Sequence, residues 1–582
     1  MSWLAVDGEA IADKYCLLCD DTGRHVLNLD GLSTKECFEF LLDSRTKIGC
    51  CFGLNYDANN WLKDLPEARL RELWETGECH TRAYFIEWIP GKWFRLKDTN
   101  KREVKICEIW GFFQSSFVKA CQMWDIEVQP ELEHMKEKRS TFSTAELQRI
   151  IDYCKTECVL MSELMGKIES QCDRLEIRPK NWIGAGSLAS ALLTKQNVAV
   201  HHVHDADITS NTGALEGIMR AYFGGRVEMF KQGVTKIAYT FDINSAYPAG
   251  IMTLPSMTNA TVRHSRKYLP NEPHAVWRVK WENVRGLVMP FPVRVKKEIF
   301  YPRSGEGCYH AIEVVQAIAC GYPIEVIEGW VLRVRDKSDP FSWVQEVYAA
   351  RRQLKKEKDH GEKVLKLALN SVYGKLAQGQ GFKGTLPPFQ CYWWAGEVTA
   401  YTRARMLKIA QMATPLMIST DGVFLDKKVR AGRISENLGD LTSEEKIDLF
   451  IGQPGVYHGY GTDGKELLRS RGFFARDIDY SDLRSGYAKE GNDYIHQYIS
   501  KDRFIGLGVS LQKKSMVDWL RWIEQKRAIS LEPRRKIISN EGKLSPIPGP
   551  LTSEIYVPKK GKQEITEDHA VGMDQPLRKE TE

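Results

Sequence analysis

The 582-residue chain has no run of about 18 consecutive apolar residues, so no segment reads as a membrane-spanning helix. Net charge is also scarce. At +6, with an isoelectric point near 8.5, the total names no nucleic-acid partner, and the clustering of cations is the better guide. The fourteen cysteines follow no disulfide framework and often sit in apolar runs, which suits a reducing compartment. Cys16-Leu17-Leu18-Cys19 has metal-ligand spacing, but no second such pair answers it, so two small buried strand residues are the better reading than zinc. His201, His202, His204, Asp205 and Asp207 read as a polar loop rather than a metal site. Internal repeats are missing too. Candidate chemistry begins as early as Asp7 and Glu9, so no cleaved signal or transit peptide is expected.

What is present is an ordinary globular composition, 43% hydrophobic and 27% charged. A chain this long should divide into roughly three to five units. Strand-like and helical runs alternate from the start, which predicts a mixed α/β multidomain fold. Ser2 to Val6 reads as a strand entering Asp7-Gly8-Glu9, and Cys16 to Leu29 as a hairpin turning at Asp21-Thr22-Gly23. Ser33 to Leu42 has helical spacing, with Ser33 or Thr34 as N-cap. Lys47 to Leu54 reads as a buried strand ending at Asn55-Tyr56-Asp57, with a helix following it. Phe113 to Met123 is expected to be helical, and Ser143 to Met165 a long amphipathic helix opened by a Ser143–Glu146 capping pattern. Residues 176–230 read as a linker, and the chain beyond about 533, rich in Pro, Lys and Glu, as a frayed tail.

Acidic residues fall where separate elements could converge. Asp7 and Glu9 lie two apart on a strand and so share a face. Asp57 ends a second strand, and Glu157 lies one helical turn after Tyr153. Each alone is more often a solvated surface charge, but carboxylates from three elements are what two-metal phosphodiester hydrolysis requires. Farther on, the apolar run Ile237 to Phe241 delivers Asp242 to a turn of Asn244, Ser245 and Pro248. A second buried strand, Leu416 to Ile418, leads into Ser419-Thr420-Asp421-Gly422. Between them, Pro340 to Lys358 and Glu362 to Lys375 read as a helical hairpin broken at Asp359-His360-Gly361. Lys366, Asn370 and Tyr373 share one helical face, which suits a nucleotide better than idle solvent exposure.

These stretches carry a resemblance. Asp242-Ile243-Asn244-Ser245-Ala246-Tyr247-Pro248, the run Lys366 to Gly374, and Ser419-Thr420-Asp421-Gly422 resemble, in order and spacing, the three polymerase motifs of family B DNA polymerases. Asp7-x-Glu9, Asn55-Tyr56-Asp57 and Tyr153-x-x-x-Glu157 resemble that family's three proofreading-exonuclease motifs. Tyr222-x-Gly224-Gly225 resembles the linker motif of its protein-primed branch, found in phages, linear plasmids and organellar elements. The resemblance implies an RNase H-like 3′–5′ exonuclease domain followed by a right-hand polymerase of palm, fingers and thumb. It implies an exonuclease domain over 1–175, palm over 231–340 and 376–430, fingers over 341–375 and thumb over 431–532.

The implied activity is template-directed DNA synthesis with 3′–5′ proofreading, using two Mg²⁺ or Mn²⁺ ions per active site. Asp242 and Asp421 would hold the polymerase ions, and Asp7, Glu9, Asp57 and Glu157, with Tyr153, the exonuclease centre. Tyr247, Ser245, Arg352, Lys366, Asn370, Tyr373 and Gly374 would bind the deoxynucleoside triphosphate. Asn55, Ser116, Tyr222, Gly224, Gly225, Thr399, Arg403, Thr420 and Arg471 would contact primer–template DNA, largely through phosphates. The branch implies a terminal priming protein as a further partner, a monomeric enzyme without membrane association, and action in the cytoplasm of a host cell. Three departures stand out. Ser419 replaces the first Asp of the usual Asp-Thr-Asp, which points to altered metal preference. Glu157 replaces the usual Asp, which bears on proofreading. Lys375 to Glu397 is short where protein-primed relatives often carry an insertion, which bears on processivity and priming. The competing expectations are a polymerase-derived DNA-binding scaffold without synthesis and an exonuclease alone.

Overall fold

The computed structural model describes residues 3–44, 46–138, 142–198, 212–295, 298–379, 387–471, 475–487, 496–530, 535–538 and 552–555. The polar loop His201–Asp207 and most of the tail lie outside the described residues. Two compact units emerge. The first comprises residues 1–196, 349–371 and 501–525, the second 197–348, 372–500 and 526–582. Among the described residues, no helix is long and apolar enough to cross a membrane.

The first unit is built on an eight-stranded sheet. Leu4–Ile11 pairs antiparallel with Lys14–Asp20, which pairs with His25–Leu27. On its other side Leu4–Ile11 runs parallel to Ile48–Cys51, itself parallel to Glu103–Glu108. A three-strand meander with parallel strands appended is the RNase H-like arrangement the resemblance implies. A meander of Glu78–His80, Tyr84–Ile89 and Trp93–Asp98 completes the sheet. The helix Thr34–Leu42 begins at Ser33, whose hydroxyl and the Glu36 carboxylate close a reciprocal capping box. Its apolar face, Cys37, Phe38, Leu41 and Leu42, enters the same core as Trp61, Phe94 and Ile106.

Several expectations about element boundaries are corrected. Asn55-Tyr56-Asp57 does not end a strand; it lies in the first turns of the helix Leu54–Trp61. Gly53, at φ 94°, takes the left-handed conformation that lets the chain leave Ile48–Cys51 and turn at once into that helix. The long helix is Leu147–Arg174, preceded by a 3₁₀ turn at Thr144–Glu146, and Ser143 makes no side-chain cap. Its buried stripe through Ile168 and Cys172 keeps it packed well past Met165. Phe113–Met123 is split at Gln114, φ 49°, into Trp110–Phe113 and Phe117–Met123. The stretch 176–230 is more structured than a linker, with helices Ala185–Lys195 and Thr212–Arg220 and the strand Arg226–Met229. In the tail, Arg535–Ile538 pairs antiparallel with Thr552–Ile555 where fraying was expected.

The stretch 501–525 belongs to the first unit rather than to that of the segment before it. Buried Asn59 explains why: its Oδ1 accepts from Leu507 N at 2.7 Å and Trp519 Nε1 at 2.9 Å, while Leu507 and Leu511 enter the first unit's core. The turn of the helical hairpin Trp343–Lys356 and Gly361–Leu376 belongs to the first unit for similar reasons. Asp359 pairs with Arg174, and the His360 and Trp124 rings lie 5.2 Å apart. The two arms are tied by Arg351 Nε to Glu362 Oε1 at 2.9 Å.

The second unit centres on a seven-stranded sheet with Gly233–Ile243 in its middle. That strand pairs antiparallel with Gly422–Leu425 on one side and Leu441–Gln453 on the other. Its odd residues Phe241 and Ile243 enter the core beneath helices Ala311–Ala319 and Tyr392–Ala410, so Asp242 faces the opposite way. A four-stranded antiparallel sheet, ordered Thr261–Ser265, Ile324–Arg333, Ala275–Trp281 and Gly305–His310, supports the same core through Trp277, Trp281 and Tyr309.

Candidate active sites

In the first unit, four carboxylates meet. Asp7 and Glu9 leave one face of Leu4–Ile11, Asp57 comes from the helix Leu54–Trp61, and Glu157 from Leu147–Arg174. Single donor atoms of Asp7, Glu9 and Glu157 lie within 4.8 Å of one another, and so do those of Asp7, Asp57 and Cys51. Glu157, with its longer arm, therefore does reach the cluster. Asp57 is oriented from both sides: Tyr15 donates to Oδ1 at 2.8 Å and the Cys51 thiol to Oδ2 at 3.5 Å. Trp61 Nε1 in turn donates to Tyr15 Oη at 3.0 Å. Gly8 makes room, since a Cβ there would lie 1.9 Å from that hydroxyl.

Crowded acids in a desolvated place resist ionisation. Burial pushes Asp57 up to about 7. Asp7 is raised well above the usual carboxylate range by burial and then by Glu157, Glu9 and Asp57. The Lys136 ammonium bonds Glu157 and lies 4.9 Å above the Phe117 ring. The Tyr153 hydroxyl, on a side chain 5% exposed, has no hydrogen-bond partner, and burial and then Glu157 raise its pKa. A surplus of buried oxygen donors around one lysine and an orphaned hydroxyl fits divalent cations, whose ligands are carboxylates and water. Asn55 and Ser116 are exposed, Ser116 at the start of the helix Phe117–Met123.

In the second unit, Asp242 stands opposite Gly422 in the strand register, one residue from Asp421. A Cβ on Gly422 would lie 2.1 Å from Asp242 Oδ1. Only glycine lets the carboxylate settle against that hairpin. Thr420, at φ 62°, turns the chain so that Asp421 O accepts from Ile243 N at 3.0 Å. Asp242 is open to solvent, yet crowding by its surroundings, then Asp421 and Glu444, push it up to about 6, with Lys446 opposing. Burial raises Asp421 as well. The sequence reading missed Glu444 and Lys446. They are bonded to each other and lie two apart on Leu441–Gln453 beside Asp242, and their alternation in the acidic run Glu444-Glu445-Lys446 was the available signal.

The Tyr-x-Gly-Gly segment is stitched to this centre. Arg226 follows it and pairs with Thr420 in the sheet. A Cβ on Gly225 would lie 2.6 Å from Thr420 Cγ2 and 3.0 Å from Tyr247 Oη. Tyr222 and Tyr373 hydroxyls lie 2.6 Å apart, and the Tyr247 and Tyr373 rings are 4.7 Å apart. Ser245, at φ 50°, precedes the short helix Ala246–Ile251 that carries Tyr247.

Two expected DNA contacts are corrected. Thr399 and Arg403 are 0% and 3% exposed. The Thr399 hydroxyl donates to Phe223 O at 2.7 Å, and Arg403 Nη1 donates to Phe223 O at 2.5 Å and Gly224 O at 2.8 Å. The rest of the guanidinium forks onto Glu313 at 2.8 and 2.7 Å. Their helix Tyr392–Ala410 is buried along most of its surface, so a short hydroxyl and a paired arginine serve the protein's own backbone instead of phosphate. Lys366 and Asn370 are exposed on Gly361–Leu376 and, with Arg352, belong to the first unit, whereas Tyr373 and Gly374 belong to the second. Arg471 is exposed beside Gly455.

Residues 116–383 match the family described as DNA polymerase type B, organellar and viral. Over that stretch the chain is similar to type B DNA polymerases. Among its relatives, a DNA polymerase of Acidianus bottle-shaped virus (isolate Italy/Pozzuoli) is 23% identical over 405 residues, covering 66% of this chain and 58% of that protein. A probable DNA polymerase of Neurospora intermedia is 22% identical over 407 residues, 59% of this chain and 41% of the relative. The primer-independent DNA polymerase PolB of Escherichia coli is 27% identical over 259 residues, 38% and 30%. The chain thus spans between 30% and 58% of these relatives' lengths. Its fold is that of Phi29 DNA polymerase: the structure complexed with primer-template DNA superposes with TM-score 0.62 at 13% identity, covering 91% of this chain and 99% of that one. The similarity to type B polymerases points to divalent-metal use, and the carboxylate cluster of the first unit suits it.

Proposed function

We propose that the chain extends a primer 3′ end on a DNA template with deoxynucleoside triphosphates, and trims mispaired 3′ ends at a separate centre. The observation that carries the first half is Asp242 on the strand Gly233–Ile243 beside the hairpin turn that carries Asp421, an approach made possible by the missing side chain of Gly422. Asp242 and Asp421 would hold Mg²⁺ or Mn²⁺, which would supply the charge that lowers the pKa of the primer hydroxyl and steadies pyrophosphate. The residues' own work is placement. Asp242 and Asp421 lie near enough to repel each other, the Tyr247 and Tyr373 rings pack 4.7 Å apart, and Gly225 keeps the backbone close to Tyr247. In the first unit Asp7, Glu9, Asp57 and Glu157 would hold the ions of the trimming centre, with Lys136 neutralising part of their charge. The proposed partners are primer–template DNA and deoxynucleotides, bound by a monomer acting in a host cytoplasm. The viral relative and the Phi29 fold support that setting.

The test is extension of a labelled primer across a gapped duplex, with and without a displaced 5′ strand, beside an unprimed template. The unprimed arm reads priming mode. The wild type should extend, Asp421→Ala should not, and Asp7→Ala should extend but fail to trim. A wild type indistinguishable from Asp421→Ala would overturn the proposal. A scaffold without synthesis has less support, because simple DNA binding needs no Gly422 beneath Asp242.

A further inference from the structure

Cys51 ends the strand Ile48–Cys51 and is fully buried, with its thiol aimed into the carboxylate cluster of the first unit. Its sulfur lies 3.5 Å from Asp57 Oδ2, and the three donors Asp7, Asp57 and Cys51 lie within 4.8 Å of one another. Asp7 also belongs to the other trio, with Glu9 and Glu157. Asp7 thus sits between two donor sets, one of oxygens only and one that includes sulfur. The Tyr153 hydroxyl is the second sign that this cluster is built for a ligand: it is buried near Glu157, Glu9 and Asp7, and among the described residues no partner meets it with hydrogen-bond geometry. Nothing in the polymerase chemistry requires a thiol at such a place.

We propose that Cys51 is a metal ligand, so that the position between Asp7 and Asp57 is a thiolate–dicarboxylate site that favours a borderline cation such as Zn²⁺ or Co²⁺ over Mg²⁺. Bond lengths of about 2.3 Å to sulfur and 2.0–2.2 Å to carboxylate oxygen need only side-chain adjustment across the observed span. Binding breaks the Cys51 S–H bond and forms the sulfur–metal bond, and one proton leaves for solvent. Mg²⁺, a hard ion, takes oxygens and water and leaves the thiol protonated on Asp57 Oδ2. The consequence is a trimming centre whose ion choice differs from that of the Asp242–Asp421 centre, where among the described residues no cysteine joins the carboxylates. The inference rests on the reading of the first unit as a metal-dependent nuclease.

The test is titration of the full-length, reduced, metal-free chain with Co²⁺, followed by near-ultraviolet absorption and calorimetry. Wild type should develop a sulfur-to-cobalt charge-transfer band and release a proton per ion. Zn²⁺ should abolish the band near stoichiometry, and Mg²⁺ only in roughly hundred-fold excess or more. Cys51→Ser should lose the band while calorimetry still records Co²⁺ binding, and Cys308→Ser, in the other unit, should keep it. Should Cys51→Ser not fold, Asp57→Asn reads the same site with the sulfur in place, and the band's midpoint should rise about ten-fold or more. A band that survives in Cys51→Ser, is untouched by Asp57→Asn, or never forms although Co²⁺ binds overturns the proposal. A calorimetric isotherm unchanged by Asp7→Ala would instead take down the nuclease reading beneath it.

Discussion

Gly422 has no side chain, and the Asp242 carboxylate occupies the space one would need. Gly422→Ala should therefore displace Asp242 by a fraction of the chain's own width and lower primer extension about a hundred-fold or more, while trimming by the other unit persists. Steady-state extension and single-strand trimming on the same preparation check both halves. Asp57 makes an opposite kind of prediction. Its folded-state pKa of about 7 lies above that of a free aspartate, so the folded chain holds a proton that the unfolded chain releases between about pH 4 and pH 7. Stability is lost as pH rises through that window. Asp57→Asn should raise the unfolding free energy of the metal-free chain near neutrality, read from urea titration, by no more than about 4 kcal/mol, and abolish trimming. His310 runs the other way. Fully buried, with neither ring nitrogen partnered, it is held down to about 3 by burial. Its stability contribution is complete above about pH 6.5 and fades as pH falls toward 3, a loss of about 2 kcal/mol by pH 5. His310→Gln should flatten the acid limb of a urea-midpoint profile.

At the scale of elements, the buried helix Tyr392–Ala410 shows how one ion pair fixes a loop. Arg403, braced by Glu313, holds the carbonyls of Phe223 and Gly224, and so fixes Gly225 against Thr420 and Tyr247. Arg403→Ala leaves Glu313 charged and buried without its partner, a loss of about 3–5 kcal/mol. A phosphate-contacting arginine would behave differently: its removal would lower the salt dependence of DNA binding by about one unit of slope and leave stability alone. Thermal unfolding beside salt-titrated DNA binding separates the two. The element-scale misreadings share a cause. Helix Leu54–Trp61 starts at a left-handed glycine, Gln114 breaks Phe113–Met123 by its backbone conformation, and the strand Arg226–Met229 exists because Leu416–Thr420 offers it an edge. Neither propensity nor periodicity carries those facts, because each depends on a conformation or a partner supplied from elsewhere.

At the scale of the molecule, two centres built on two sheets imply separable activities. Lys136→Ala should lower trimming roughly ten- to hundred-fold through its loss beside Glu157, and leave primer extension intact. Parallel loss of extension would mean that the units do not act independently. Much of this was legible in the chain itself. Asp242 and Asp421 stood at strand ends, Asp7 and Glu9 on a strand and Glu157 on a long helix, and Ser33 with Glu36 announced a helix start, whereas Asp57, expected at a strand end, proved to lie on a helix. Such signals are local: they depend on a few neighbouring residues and on side-chain alternation, which the covalent order already sets. What tertiary structure alone decided was every relation between residues far apart in sequence. It brought Cys51 to Asp7 and Asp57, turned Thr399 and Arg403 inward onto Phe223, placed Lys446 beside Asp242, and joined 501–525 to Asn59. Those contacts are long-range, selected by burial and hydrogen-bond satisfaction of the folded whole, and no window of sequence contains both partners.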